Sequence, residues 1–137
     1  MASRPGSAPA DIKRVIDTSV VMAVLLDESG NDAAARLVPG SMLSSVNLAE
    51  IVAKCVEKSF PLRMAQDYIR TSGIEIVAFD ADAAVLTGEI FQFARKGVLS
   101  LGDRACIATA MRRNAIAVTA DRIWADLDLP CQIELIR

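Results

Sequence analysis

The sequence predicts an α/β fold in which helices cover both faces of a largely parallel sheet. Short apolar segments typical of strands alternate with segments typical of helices, which is the order of βαβ units. Only 4% of the 137 residues are aromatic, so Ala, Val, Ile and Leu must build the core, as in covered parallel sheets. Hydrophobic residues reach 53%, enough for one substantial core. We expect a single domain over residues 12–137 and a flexible leader, rich in Pro, Gly, Ser and Ala, over residues 1–11.

Five strands are predicted from short apolar runs separated by polar segments and turn residues. In chain order they cover residues 14–17, 42–44, 74–79, 116–119 and 132–136. Val15 and Ile16 mark the first, and the second is brief. The third follows the turn residue Gly73, and the fifth follows Pro130.

Seven helices are predicted between these strands. In chain order they cover residues 19–26, 33–38, 47–59, 61–69, 80–94, 100–114 and 122–127. In the third, apolar residues recur at i, i+3, i+4, i+7 and i+8, the pattern of an amphipathic helix. Gly40 ends the second helix, Pro61 begins the fourth, Asp80 or Asp82 caps the fifth, and Ser100 begins the sixth.

Four acidic residues lie where a predicted strand ends or a helix begins. Asp17 ends the first predicted strand, Asp121 follows the fourth, and Glu50 and Asp103 lie in the first turns of predicted helices. The carboxyl ends of parallel strands meet at one sheet edge, so we expect these side chains to share a crevice. Four carboxylates would repel one another unless a divalent cation compensates them. Oxygen ligands favour Mg²⁺ or Mn²⁺, and the absence of His excludes an imidazole base or ligand.

Each acid also has an ordinary interpretation. Acidic side chains are favoured at helix N-termini, and the pairs Ser100–Asp103 and Asn47–Glu50 have the spacing of a capping box. Asp121 would cap the following helix, and Asp17 would lie in the turn after its strand. As a set they are harder to explain this way, because an isolated charge at the end of an apolar strand is costly without a partner.

Composition excludes several classes of protein. A formal net charge of −2 argues against nucleic-acid binding through overall positive charge. Cys55, Cys106 and Cys131 form no CxxC motif, so a structural zinc site is not expected, and free thiols fit a reducing cytoplasm. No apolar run reaches the ~20 residues of a membrane span. The phosphate-binding motifs GxxxxGK and GxGxxG are both absent.

The segments VIDTSVV, SVNLAEI, LSLGDRACIATA and AVTADRIW resemble the motifs of the PIN-domain family, within it the VapC-type toxin ribonucleases of bacterial toxin–antitoxin pairs. The resemblance runs from about Val15 to the C-terminus. It implies a three-layer α/β/α sandwich and an endoribonuclease that cleaves single-stranded or loop regions of RNA with Mg²⁺ or Mn²⁺. It maps the catalytic, metal-binding acids onto Asp17, Glu50, Asp103 and Asp121, with Asp17 and Asp103 as the first candidates for direct ligands.

The same resemblance implies supporting residues and partners. Ser19 and Thr119 are the matching hydroxyls beside the first and last acids. A homodimer and a small antitoxin that inserts side chains over the acids are expected. Arg104 and Arg122, next to motif acids, are the candidates for contacts with RNA phosphates. Further basic residues near the motifs could face only water: Arg95, Lys96, Arg112 and Arg113.

Other classes of function fit less well. A phosphatase of the haloacid-dehalogenase type needs Asp-x-Asp, whereas Ser19 stands second after Asp17 here. A receiver-like signalling domain needs paired acids and a late lysine that this chain does not supply. A binding module without activity would be expected to lack one of the four acids. A housekeeping nuclease remains an alternative, which the absence of a neighbouring antitoxin gene would favour.

Overall fold

The structure, a computed structural model, describes residues 12–137, and the predicted leader lies outside the described residues. Five parallel strands form its sheet in the order β3-β2-β1-β4-β5. The strands are β1 (Arg14–Ile16), β2 (Met42–Ser44), β3 (Glu75–Val77), β4 (Ile116–Thr119) and β5 (Ile133–Leu135). The prediction of an α/β fold with a mostly parallel sheet is confirmed.

Helices connect the strands close to where periodicity and capping residues predict them. They are α1 (Thr18–Leu25), α2 (Asn31–Leu37), α3 (Ser45–Glu57), α4 (Leu62–Thr71), α5 (Ala81–Glu89), α6 (Leu101–Arg112) and α7 (Ile123–Asp126). The predicted helix over 80–94 is too long, because α5 ends at Glu89 and the chain continues as a 3₁₀ turn over Ile90–Phe93. Gly88 lowers helix propensity there, and the tighter turn buries Ile90.

Within residues 12–137, no helix has both the length and the apolar character needed to cross a lipid bilayer.

The hydrophobic core has two parts, one on each face of the sheet. Ile16 and Val118 point to one face, where they pack against residues of α1 to α4. Their strand neighbours Val15 and Ala117 point to the other face, where Cys106 of α6 and Trp124 of α7 cover them. This alternation is the consequence of the two-residue period of a strand, and it produces the predicted three layers.

The path of the chain reverses direction between β1 and β4. From β1 the chain moves outward through β2 to β3, and it then returns to add β4 and β5 on the other side of β1. In open α/β sheets a crevice forms at such a switch point, beyond the carboxyl ends of the strands. Asp17 directly follows β1, with its backbone N–H donating to Val118 O at 3.0 Å, and Asp121 lies just beyond β4.

Candidate functional site

Asp17, Glu50, Asp103 and Asp121 line one cleft of about 480 Å³, which we call the acidic cleft. Its other lining residues come mainly from α1, α3 and the segments that precede α2 and α6. They are Thr18, Ser19, Met22, Leu26, Glu28, Lys54, Lys58 and Ser100. The structure therefore brings together the four acids that the sequence distributes over 105 positions, from 17 to 121.

Asp17 is the most deeply placed of the four, with 4% of its surface exposed. Its side chain caps α1, because Oδ1 accepts hydrogen bonds from the Ser19 backbone N–H at 3.0 Å and from the Ser19 hydroxyl. The Thr119 hydroxyl donates to Oδ2 at 2.8 Å. Burial raises the pKa of Asp17 to about 7 even though these hydrogen bonds act to lower it, and the Asp103 charge raises it further.

The hydroxyls of Ser19 and Thr119 also hold the strand ends together. Ser19 Oγ accepts from the Ala120 backbone N–H at 2.9 Å, and Thr119 Oγ1 accepts from the Asp121 backbone N–H at 3.1 Å. Each hydroxyl thus donates to Asp17 and accepts from the chain that leads to Asp121. This arrangement fixes the distance between the first and last acids of the cleft through two short polar bridges.

Glu50 does not take part in the capping box that its spacing from Asn47 predicts. Helix α3 begins earlier, at Ser45, and the Ser44 hydroxyl caps it by accepting from the Val46 backbone N–H at 3.2 Å. Asn47 is consequently inside the helix and buried, and its amide donates to Glu50 Oε1 at 3.1 Å. That prediction is wrong because the strand preceding α3 turns directly into the helix.

Asp103 has both of the roles that the sequence allows. It forms a capping box with Ser100, whose hydroxyl accepts from the Asp103 backbone N–H at 3.1 Å, while Asp103 Oδ2 accepts from the Ser100 backbone N–H at 3.0 Å. It also lines the acidic cleft, where burial raises its pKa and the charges of Glu50 and Asp121 add to the effect. Asp121 is exposed, and its Oδ1 accepts from the Ile123 backbone N–H at 3.1 Å.

The donor set suits a hard divalent cation, although its present arrangement is not a finished metal site. In the part of the chain that the structure describes, no group of three or more His, Cys, Asp or Glu side chains is placed to hold a metal ion. Glu50 Oε1 and Asp103 Oδ2 accept hydrogen bonds from donors beside them, while Glu50 Oε2 and Asp103 Oδ1 accept none within residues 12–137. A cation bound by several acids at once would therefore use these other oxygens. Such a cation would stabilise the ionised form of Asp17 and Asp103, the two carboxyl groups whose pKa is raised.

The two arginines predicted to contact RNA do not line the acidic cleft. Arg104 Nη1 donates to the Thr87 carbonyl at 3.1 Å, and its guanidinium Cζ lies 5.3 Å from the centroid of the Phe91 ring. Arg122 Nη1 donates to the Arg137 carbonyl at 3.0 Å. Both side chains have partners outside the cleft, so a contact with RNA stays a prediction that would require them to move.

Basic side chains in the acidic cleft come instead from α3, which contains Lys54, and from Lys58, the residue that follows its last turn. Lys54 and Lys58 line the cleft and follow Glu50 at intervals of four residues, which places all three on one helical face. This spacing is the signal by which the sequence could have identified them. Arg112 and Arg113, by contrast, form ion pairs with acids outside the cleft.

One family model matches this chain, and solved structures with the same fold are similar to it. A family model of the PIN domain matches residues 14–129. A toxin–antitoxin complex from Klebsiella pneumoniae is similar with a TM-score of 0.71 and 16% identity, covering 91% of this chain and 98% of that chain. DNA-bound VapBC from Salmonella typhimurium has a TM-score of 0.69 and 24% identity, covering 92% and 99% respectively. A search of curated proteins found no match.

A third solved structure is VapC20 from Mycobacterium tuberculosis, described as a sarcin-ricin loop cleaving toxin. Its TM-score is 0.70 at 16% identity, with 83% of this chain and 94% of that chain covered. At these identities the structural similarity establishes a common fold, while the family model covers most of the chain.

Proposed function

This chain belongs to the PIN-domain family, and from that membership we propose that it is a metal-dependent endoribonuclease, the toxin of a toxin–antitoxin pair. The observation that carries the proposal is the convergence of Asp17, Glu50, Asp103 and Asp121 on one cleft at the switch point of the sheet. Two of these carboxyl groups have raised pKa values, which is frequent in catalytic sites.

The proposed cofactor is Mg²⁺, with Mn²⁺ as a substitute. A bound divalent cation supplies Lewis acidity, which lowers the pKa of water and offsets charge that develops on a phosphodiester. Asp17 and Asp103 are the proposed direct ligands, and Glu50 and Asp121 would bind a second ion or act through water. Because the chain contains no His, such a cation would provide hydrolytic chemistry that its side chains alone do not.

Ser19 and Thr119 are proposed to orient Asp17. Three hydrogen bonds to the two Asp17 oxygens support this assignment. They hold the carboxylate at the carboxyl end of β1 and favour its charged form against the cost of burial.

The proposed substrate is single-stranded or looped RNA. One similar structure is described as a toxin that cleaves the sarcin-ricin loop, which supports this substrate class. Phosphates that enter the acidic cleft would meet Lys54 and Lys58, both exposed and without a salt bridge within residues 12–137. Arg104 and Arg122 remain proposed contacts at the edge of this path.

The proposed partners are a small antitoxin and a second copy of the chain. Similar structures are described as toxin–antitoxin and VapBC complexes, which supports the antitoxin. We propose that residues 12–137 form a single nuclease domain that acts in the cytoplasm, where its RNA substrate and antitoxin would be present.

Cleavage of a labelled single-stranded RNA by the purified protein tests the activity. We expect cleavage with Mg²⁺ or Mn²⁺ and its loss in Asp17→Asn, in Asp103→Asn and in excess chelator. Cleavage that persists in chelator, or in the double variant, would contradict the metal-dependent mechanism.

Expression in growing cells separates a toxin from a housekeeping nuclease. We expect growth arrest that the Asp17→Asn variant does not cause and that co-expression of a short neighbouring gene relieves. A cleaving protein that leaves growth unaffected would favour the housekeeping alternative.

A further inference from the structure

The carboxylate of Glu50 is held by two residues that do not belong to the set of predicted site residues. The Thr18 hydroxyl donates to Glu50 Oε1 at 2.6 Å, and the Asn47 amide donates to the same oxygen at 3.1 Å. Thr18 and Asn47 are buried, with 5% and 1% of their surfaces exposed, and Asn47 Nδ2 lies 3.1 Å from Thr18 Oγ1. Glu50 therefore has one oxygen that is firmly bound within the protein.

Burial of the Asn47 side chain at this position destabilises the fold. Its Oδ1 has no hydrogen-bond partner within residues 12–137, and an unsatisfied buried acceptor destabilises a fold. An apolar side chain would avoid this cost. The three acceptors near Nδ2, namely Glu50 Oε1, Thr18 Oγ1 and the Gly102 carbonyl, indicate that the amide group is present to donate hydrogen bonds.

A side chain at position 102 would occupy the space that the Glu50 carboxyl group fills. The three atoms nearest to a Cβ built at Gly102 all belong to the Glu50 carboxyl group, and each would overlap it. The backbone of Gly102 is ordinary helix without a positive φ, so no conformational requirement selects glycine here. Glycine is in fact unfavourable within a helix. The glycine at position 102 therefore leaves room for the Glu50 carboxyl group.

We propose that Thr18, Asn47 and Gly102 are positioning residues for Glu50, which two donors hold by Oε1 in a space that Gly102 leaves open. Glu50 Oε2 has no hydrogen bond in the described part of the chain, so one oxygen remains free while the other is fixed. The relevance of this arrangement to catalysis depends on the proposed function, but the arrangement itself does not.

The Gly102→Ala substitution should displace the Glu50 carboxyl group without disrupting the fold. The group that must move is the end of a flexible side chain, and Ala is the better helix former, so the fold should be retained. We expect RNA cleavage to fall roughly 10–100-fold and Mn²⁺ affinity, measured by electron paramagnetic resonance, to fall about tenfold. Gly88→Ala is the matched control, since Gly88 lies in α5 with nothing within 4 Å of its added Cβ, and it should preserve both quantities.

Thr18 provides an independent test of the same proposal. Thr18→Val removes the hydroxyl with little change of shape and should lower kcat and Mn²⁺ affinity, whereas Thr18→Ser keeps the donor and should restore most of both. Equal effects of the two substitutions would contradict positioning through the hydroxyl.

A double-mutant cycle on stability decides the proposal without reference to activity. In metal-free protein, Gly102→Ala should raise Tm more in the Glu50→Ala background than in the native background, because only the native protein loses the Glu50 hydrogen bonds. Identical Tm shifts in the two backgrounds would overturn the positioning role. If the coupling is present but no preparation cleaves RNA, the proposed function fails and the positioning inference stands. If the native protein and Gly102→Ala cleave RNA at the same rate, and the two Tm shifts are identical, the inference fails and the function stands.

Discussion

The Thr119 hydroxyl donates a hydrogen bond to Asp17 Oδ2 at 2.8 Å, joining the end of β4 to the residue that follows β1 across 102 positions of sequence. The bond crosses the switch point of the sheet, where the chain path reverses between two adjacent parallel strands. Thr119 Oγ1 also accepts from the Asp121 backbone N–H at 3.1 Å, so a single hydroxyl links the first and last acids of the cleft.

Thr119→Val should reduce RNA cleavage roughly 10–100-fold, since a hydrogen bond to a charged group contributes ~1.5–3 kcal/mol. The substitution preserves the shape of the buried side chain but removes the donor to Asp17, leaving its carboxylate harder to ionise. Single-turnover cleavage rates measure the effect. Thr119→Ser retains the hydroxyl and should keep most of the activity; a loss equal to that of the Val variant would show that packing, not the hydrogen bond, is responsible.

The metal-free protein should become less stable as pH rises from about 4 to about 7. Burial raises the pKa of Asp17 from 3.8 to about 7, so over this interval the folded chain retains a proton that the unfolded chain has released. Because the folded state binds more protons, its free energy of unfolding falls as pH rises, by up to a few kcal/mol, and levels off above the folded pKa. Asp103, with a raised pKa, adds in the same direction.

Chemical denaturation in chelator at several pH values measures this dependence. Asp17→Asn cannot ionise and should show a flatter profile with higher stability at pH 8 than the native chain. Added Mg²⁺ or Mn²⁺ should recover stability in the native chain above pH 7, because a cation binds the ionised carboxylates. If the Asn substitution leaves the dependence of unfolding free energy on pH unchanged, groups other than Asp17 cause that dependence.

Asp103→Asn should separate the capping role of this residue from its role in the cleft. The Asn side-chain oxygen can still accept from the Ser100 backbone N–H, so the capping box should be largely kept and Tm should not fall. Loss of the charge should nevertheless reduce cleavage by roughly 100-fold or more, if the carboxylate holds the cation. Thermal unfolding and cleavage rates of the same preparation provide the comparison.

Lys54→Gln and Lys58→Gln should weaken RNA binding while leaving the structure intact. Both side chains are exposed and line the acidic cleft, so each would lose one phosphate contact. The slope of log affinity against log salt should fall in magnitude by about 0.7 per lysine for a single-stranded ligand. Binding is best measured with an Asp17→Asn background that does not cleave.

Lys13→Gln is the matched control for this pair. Lys13 is exposed and directly precedes β1, at the opposite end of the strand from Asp17. Its removal should leave both the affinity and the salt slope unchanged. An equal loss in all three variants would mean that the lysines act only through net charge.

The order of strands and helices could be predicted because it depends on local patterns. Apolar periodicity and turn residues place strands over 42–44 and 116–119 exactly where the structure has them. The four acids could be predicted as neighbours since each follows a strand or begins a helix, and parallel strands share one carboxyl edge. The predicted helix over 80–94 is too long, because periodicity does not distinguish an α-helix from its continuation in a tighter 3₁₀ turn.

Residue types and their spacing along the chain are enough to predict the fold class, the family and the four acids that meet in the cleft. The atoms that hold those acids could not be predicted, because they come from segments that are distant in the sequence. Thr18 and Glu50 are 32 positions apart, and Asn47 and Gly102 are 55 apart, so their contacts depend on how α1, α3 and α6 pack. These contacts depend on the rotation and depth at which each helix packs, and local sequence patterns carry no information on either. For the same reason the basic groups in the cleft are Lys54 and Lys58, while Arg104 lies against Phe91.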